Sequence, residues 1–462
     1  MRSSLLRHLG SVLVEEPGQP SLLERHSLRA KGFRDIPPEL APRDYVAYLL
    51  TIDAEIEHAL MDQYLYAAYS LGGPQVPLKH QDMVANWQRT ILGVAREEMG
   101  HLISVQNVLR LIGAPLALLR EDSPWDSPFY PFPFRLEPAS INTIARYVFA
   151  ESPPLDEWRG ELQEEVLKRI DCSPTTPKRV GALFELLIDL VQDQSFLEDN
   201  VFQAETRPFQ ADFSEWGRGN NGMQGRADVI VSPVASRDQA VEALNAIASQ
   251  GEAMKANLND ENPSHFARFC TVFEQMLQAE KEGWSPSRPV ATDPYVPLQG
   301  PSNADGVEHG STQSGDPITH PVTQIWAHLF NIRYRLLLQL IAHSFELAGG
   351  LVTDGSHTPR GVVIHSTFGE MYNIRALGQI LVQAPLNLEG DRCAGPPFLM
   401  PYTLDLPVRE SDRWRVHLDL LLASERLVEQ LLAAGENPRY LATLRQADRE
   451  LAATINALLS RR

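Results

Sequence analysis

A mainly α fold is predicted by three features of the sequence. Apolar residues recur at helical spacing along most of the chain, while the period-two alternation of strands is scarce. Two early stretches, 43–71 and 80–112, each hold that spacing for about eight turns. Explicit stop signals follow both, Gly72-Gly73 after the first and "IGAP" after the second.

The remaining elements follow in order. The segment "EDSPWDSPFYPFPFRLEPAS" carries five prolines among aromatics and reads as an ordered, extended connection, because so many rings are poorly accommodated in water. It is read as a packed connection, with a substrate access path as the alternative. Helical patterns return at 141–150, 178–197, 236–254 and 263–282. Residues 285–321, rich in Pro, Gly, Ser and Asp, read as a long surface loop. Four more helices are expected near 323–349, 361–384, 411–434 and 437–459. This gives an N-terminal arm (1–42), a bundle (43–284), the loop, and a C-terminal helical region (322–462) expected to pack on the bundle.

Composition narrows the function classes. A formal net charge of −18 and a pI near 5.2 argue against nucleic acid or an anionic membrane as partner. Cys172, Cys270 and Cys393 are sparse, odd in number and without CxxC spacing, which fits a reducing compartment. The N-terminus is a poor signal peptide, interrupted by Arg7 and His8, and no apolar run approaches the ~18 residues of a membrane span. The expectation is a cytoplasmic protein acting on a small molecule, with a homodimer as one form of assembly.

The chemistry concentrates in "AREEMGHL". Glu98 and His101 are three apart and share a helix face with Ile91, Val94, Val105, Val108 and Ile112. A charge on such a face is expensive unless it is paired or bound to metal. A lone ExxH is more often an ion pair or the solvated edge of a stripe. Here it has company, since Glu57 lies in the apolar stripe of the preceding helix with Leu60, Tyr64, Ala67 and Leu71. Helix-bundle dimetal sites take one Glu from each of two helices and a Glu-x-x-His element from each of the others.

The second half of such a site would lie downstream. Glu185 stands alone among apolar residues in "RVGALFELLIDLVQD", and Glu252 and His265 follow. Those two are thirteen apart and converge only if Asn259 to Pro263 breaks the helix and Ser264 caps a new one. Otherwise His265 is a satisfied core histidine. Glu97 faces elsewhere on its helix, toward solvent or behind the ligands. His58, His328, His343 and His365 read as structural or surface residues, Cys270 as a buried small apolar residue, and Tyr64 as a core aromatic or a hydrogen-bonding or redox neighbour of the site.

The stretches "EIEHALMDQYLYAAYSL", "AREEMGHLISVQNVLRLIGAP", "VGALFELL", "ASQGEA", "PSHFARF" and "WAHLFNIRYRLLLQL" resemble a ferritin-like domain family associated with iminophenyl-pyruvate dimer synthases of bisindole biosynthesis. The resemblance spans roughly 43–400. It implies a ferritin-like four-helix bundle with a carboxylate-bridged dimetal site held by Glu57, Glu98, His101, Glu185, Glu252 and His265. The sequence departs from the family where Met61-Asp62 replaces a usual proline and where Ala253 replaces a frequent glycine.

Four carboxylates and two imidazoles suit two Fe ions, or Mn, better than zinc. Such a site implies O2-dependent oxidation (hydroxylation, desaturation, N-oxidation or coupling), and the resemblance implies a small amino-acid-derived or indolic metabolite of secondary metabolism as substrate. Iron storage or peroxide detoxification shares the site and is the second reading. A metal-free accessory bundle is the third.

Overall fold

The computed structural model describes Ile36 and residues 39–125, 130–170, 179–217, 229–251, 263–297 and 315–460. Twelve α-helices and one two-stranded antiparallel hairpin lie among them. Backbone contacts divide the chain into two compact units. The first comprises the described residues up to Arg120 with Trp125–Phe134 and Ala139–Pro286; the second holds Glu121–Pro124, Arg135–Pro138 and Ser287 onward.

In the first unit, α1 (Pro42–Ser70) and α2 (Gln81–Leu111) form the most extensive helix pair. Pro42 sits in the first turn of α1, where its missing N–H costs nothing. Helix α3 (Ile141–Ala150) starts on Ser140, whose hydroxyl accepts from Thr143 N at 3.1 Å. It packs against α8 (His265–Glu282), and α8 in turn touches α2. Those four helices make the bundle. The sequence reading omitted α4 (Glu161–Arg169), because only Val166 of its nine residues is buried and no apolar stripe marks it. Beside the bundle stand α5 (Gly181–Gln192), short α6 (Phe213–Trp216) and α7 (Arg237–Gly251), with α5 packed on α7 and α1.

Two side chains explain why α2 is so specifically patterned. Buried Asn107 donates to Ala211 O and Ser232 O at 2.9 Å and accepts from Ala211 N at 2.8 Å. Gln106 brackets Ala117 in the same two-way fashion. Gly100 lets the 229–231 backbone approach, since a Cβ there would lie 3.2 Å from Ile230 O. The residue in the region of the missing family proline, Asp62, is fully buried and takes the Arg120 guanidinium at 2.6 Å. His58 lies 3.6 Å from the same carboxylate. In the aromatic connection Trp125 and Phe134 pair in an antiparallel bridge, and Tyr130, Phe132 and Phe134 are buried.

The second unit is a helical bundle of α9 (Pro321–Ser344), α10 (Pro359–Leu381), α11 (Glu410–Ala433) and α12 (Pro438–Ser460). The hairpin, β1 (Val352–Thr353) and β2 (Ser356–His357), precedes α10. Leu336, Leu340, Val363, Trp414, Leu421 and Ile455 form part of its core. No helix among the described residues is long and apolar enough to cross a membrane.

That core also holds a histidine pair. His343 Nδ1 and His417 Nε2 are 3.0 Å apart, both rings are wholly buried, and the Trp414 indole packs on His343. Burial, and then the charge of His343, push the His417 imidazole down to about 3. A depressed histidine stabilises the fold above its unfolded value of about 6.5 and loses that contribution as pH falls. The unfolding transition of this bundle should therefore be about 2 kcal/mol less favourable to the native state at pH 5 than at pH 7 through this ring. Calorimetry of wild type and His417→Asn at both pH values checks it; an equal pH response in the two proteins would refute it.

Candidate metal centre

Four helices of the first unit deliver five buried groups to one place. Glu57 comes from the middle of α1, and Glu98 and His101 from adjacent turns of α2. Glu151 is the residue that closes α3. His265 is the first residue of α8, positioned because the Ser264 hydroxyl caps the helix by accepting from Ala267 N at 3.3 Å.

The geometry is that of two triads with a common member. His101 Nδ1 lies 2.9 Å from Glu98 Oε2 and 3.3 Å from Glu57 Oε2. His265 Nδ1 lies 2.8 Å from Glu98 Oε1 and 3.6 Å from Glu151 Oε2. Within each triad the potential ligand atoms fall within 4.8 Å of one another. Glu98 thus turns one oxygen to each histidine, and the two imidazoles face each other with centroids 5.4 Å apart.

The outward atoms of these groups are also held. His101 Nε2 meets Gln250 Oε1 at 2.9 Å, and His265 Nε2 meets Glu97 Oε2 at 3.0 Å. The Arg268 guanidinium donates to that same Glu97 oxygen. With each Nε2–H donating outward, each Nδ1 lone pair is aimed into the site. Tyr64 OH donates to Glu151 Oε1 at 2.5 Å and leaves Oε2 for the centre. Its ring is wedged between Tyr147 and Phe269 at 4.6 and 4.9 Å.

The residues fit a metal pair. Glu57 Oε2, Glu98 Oε1 and His265 Nδ1 are buried and make no well-directed hydrogen bond, facing only other members of the triads, a costly arrangement unless a cation satisfies them. A Cβ on Gly251 would lie 3.3 Å from Glu151 Oε2 and 3.9 Å from His265 Nδ1, so glycine leaves room beside the second triad. Three carboxylates and two imidazoles, without thiolate, form a donor set for Fe or Mn.

The protein groups alone share their charge unevenly. Burial would raise the Glu98 carboxyl, but His265 and His101 outweigh it and hold it well below the usual carboxylate range. Burial and the charge of Glu98 raise Glu57 and Glu151. Burial opposes protonation of both histidines, yet Glu98 lifts His265 well above its ordinary value, and Glu98 and Glu57 lift His101 to about 10. Ligation at these atoms must displace protons, so metal affinity should rise with pH.

Of the residues expected from the sequence, Glu57, Glu98, His101 and His265 are brought together. Glu185, half-buried on α5, belongs to neither triad. Glu252 and the expected break from Asn259 lie outside the described residues. Glu151 is the addition that sequence reasoning missed. Glu97, expected at solvent or behind the ligands, is buried behind His265. Tyr64 is both core aromatic and hydrogen-bonding neighbour. Asp53, one turn before Glu57, is fully buried, and burial together with the charge of Glu98 sets its carboxyl well above the usual range, against the opposing pull of His101. His58 lies in neither triad; Cys270 is buried, and burial pushes its thiol up.

Two carboxylate–histidine triads sharing a glutamate inside a helical bundle define a protein of the carboxylate-bundle class, with a site able to hold a pair of metal ions. Comparison with known proteins points the same way: residues 50–274 match the family model described as Ferritin-like. The chain is similar to dichlorochromopyrrolate synthase of Lentzea aerocolonigenes, 27% identical over 381 residues, which are 74% of this chain and 34% of that protein. The chain thus spans about a third of that relative's length. A crystal structure of a ferritin-like protein from Caulobacter vibrioides aligns with TM-score 0.41 and 17% identity, over 74% of this chain and 98% of that one.

Proposed function

We propose that the chain is a non-haem dimetal oxidase or oxygenase of secondary metabolism, acting with O2 on a small amino-acid-derived or indolic metabolite. The observation that carries this reading is Glu98 shared between two buried triads. Iron is the expected metal, with manganese as the alternative that the same donors accept. Glu57, Glu98 and His101 would hold one ion, and Glu98, Glu151 and His265 the other. Such a pair supplies redox chemistry with dioxygen. The synthase similarity supports a place in biosynthesis; because only a third of that relative is spanned, its reaction is not carried over.

The chain's own contribution is positioning and proton placement. Gln250 and Glu97 fix the imidazole tautomers, Tyr64 fixes Glu151, and the buried shell of Tyr64, Tyr147 and Phe269 excludes water on one side. The partner is a small molecule; neither nucleic acid nor membrane is part of the proposal, and a cytoplasmic homodimer is the assembly we propose.

Anaerobic Fe(II) loading should give two ions per chain, followed by oxygen uptake that depends on an amino-acid or indolic substrate. His265→Ala should lose one ion while circular dichroism stays unchanged. Retention of both ions and full turnover in that variant would overturn the assignment of His265. Iron uptake far beyond two ions per chain, without substrate dependence, would assign storage instead.

A further inference from the structure

The two histidines of the site are backed by chemically different groups. His265 Nε2 donates to a carboxylate, Glu97, at 3.0 Å; His101 Nε2 donates to a neutral amide, Gln250, at 2.9 Å. Glu97 is buried, so its charge is maintained by Arg268 on the same oxygen. A carboxylate is the stronger acceptor, and it makes the imidazole behind which it stands a more basic ligand. The carboxylates in direct contact lean the same way: among the described residues Glu97, Glu98 and Glu151 lie within 3.6 Å of a His265 ring nitrogen, and Glu57 and Glu98 within 3.3 Å of His101 Nδ1, with Asp53 acting on His101 from farther off. Gly251 adds space, but no donor side chain, beside the His265 triad.

We propose that the two metal positions are unequal by construction: the Glu98–Glu151–His265 position binds its ion more tightly and fills first, because Glu97 stands behind His265 where Gln250 stands behind His101. This rests on the dimetal reading given above. Glu97 and Gln250 are positioning residues, since each acts through a histidine. Their chemical difference also gives the protein an order of assembly, with a singly loaded form that holds its ion at the end of α3 and the start of α8.

The test is an anaerobic titration of the full chain with Mn(II), followed by calorimetry and by the electron paramagnetic resonance of the bound ion. Wild type should bind two ions in steps that differ by roughly 10–100-fold in affinity, the effect ordinarily carried by the group behind a ligating histidine. Glu97→Gln keeps an acceptor oxygen and removes the charge; it should weaken the first step by about 10–100-fold and leave the second in place. Gln250→Glu is the reciprocal arm and should strengthen the second step. His101→Ala should keep one ion at the tight constant and His265→Ala one ion at the weak constant. Indistinguishable steps in wild type, or a tight ion that survives His265→Ala, would overturn the inequality while leaving a two-ion site. Fewer than two ions in wild type would bring down the dimetal reading itself.

Discussion

Glu98→Gln is expected to remove both metal ions from the chain, where His101→Ala and His265→Ala each remove one. The reason is that Glu98 is the only residue belonging to both triads found among the described residues, with Oε2 2.9 Å from one histidine and Oε1 2.8 Å from the other. Loss of its charge withdraws a ligand from each position and the anion that offsets both cations. The amide is nearly isosteric, so packing along α2 is retained. Elemental analysis after anaerobic Fe(II) loading checks the stoichiometry, and unchanged far-ultraviolet circular dichroism separates lost binding from lost fold. If Glu98→Gln keeps both ions, Glu98 is not shared between them. If all three variants keep two ions, the site lies elsewhere.

A second consequence concerns protons. In the absence of ions, His101 and His265 balance the Glu98 charge, so Glu98→Gln also removes the largest of the charges that hold both rings protonated, leaving Glu57 at His101 and Glu97 and Glu151 at His265. The apo variant should therefore show both histidine titrations moved to lower pH by nuclear magnetic resonance, with His101 falling from about 10 in the apo wild type.

Much of the first triad was legible in the sequence because it is local. Glu98 and His101 share one helix, and Glu57 sits in the stripe of the helix before it, so helical periodicity alone aligns them. His265 was legible through a cap, since Pro263 and Ser264 announce a new helix whose first residue it is. Glu151 left no such trace. It closes a ten-residue helix, has no histidine one turn away, and its partners, Tyr64 and His265, are 87 and 114 residues distant along the chain. A carboxylate chosen by pattern, Glu185, stood in a far more apolar helix and drew the attention instead. Glu97 was hidden for a different reason. Its neighbour Glu98 faces the centre, adjacent residues differ by about 100° around a helix, and only the fold shows that α8 covers that second face.

The C-terminal bundle hid its strongest polar feature in the same way, one residue per helix. Arg333 on α9 donates to Glu370 on α10 (Nε to Oε2, 2.7 Å) and to Asp448 on α12 (Nη1 to Oδ1, 2.7 Å). Ser424 on α11 bridges, accepting from Arg333 at 3.3 Å and donating to Asp448 at 3.2 Å. All four side chains are buried. Burial raises the Glu370 and Asp448 carboxyls, and Arg333 opposes that rise in each. Arg333→Leu would strand two carboxylates in a core and should destabilise this bundle by about 3–5 kcal/mol, because breaking a buried pair leaves its partners uncompensated. For a unit of this size that corresponds to a fall on the order of 10 °C in its calorimetric midpoint. The stranded carboxyls can relieve the cost by taking up protons, so the loss should shrink as pH falls from 7 to 5, with the folded state binding the extra protons. Arg333→Lys should recover part of the loss, since a lysine replaces the charge and cannot reproduce the fork that reaches two acids at once. The triple change Arg333→Met, Glu370→Leu, Asp448→Leu should restore stability to wild type or above, as apolar replacements of buried ionic clusters commonly do. A midpoint for Arg333→Leu within about 1 °C of wild type would mean that the cluster contributes nothing net, since a loss of 1 kcal/mol already shifts a unit of this size by about 2–4 °C.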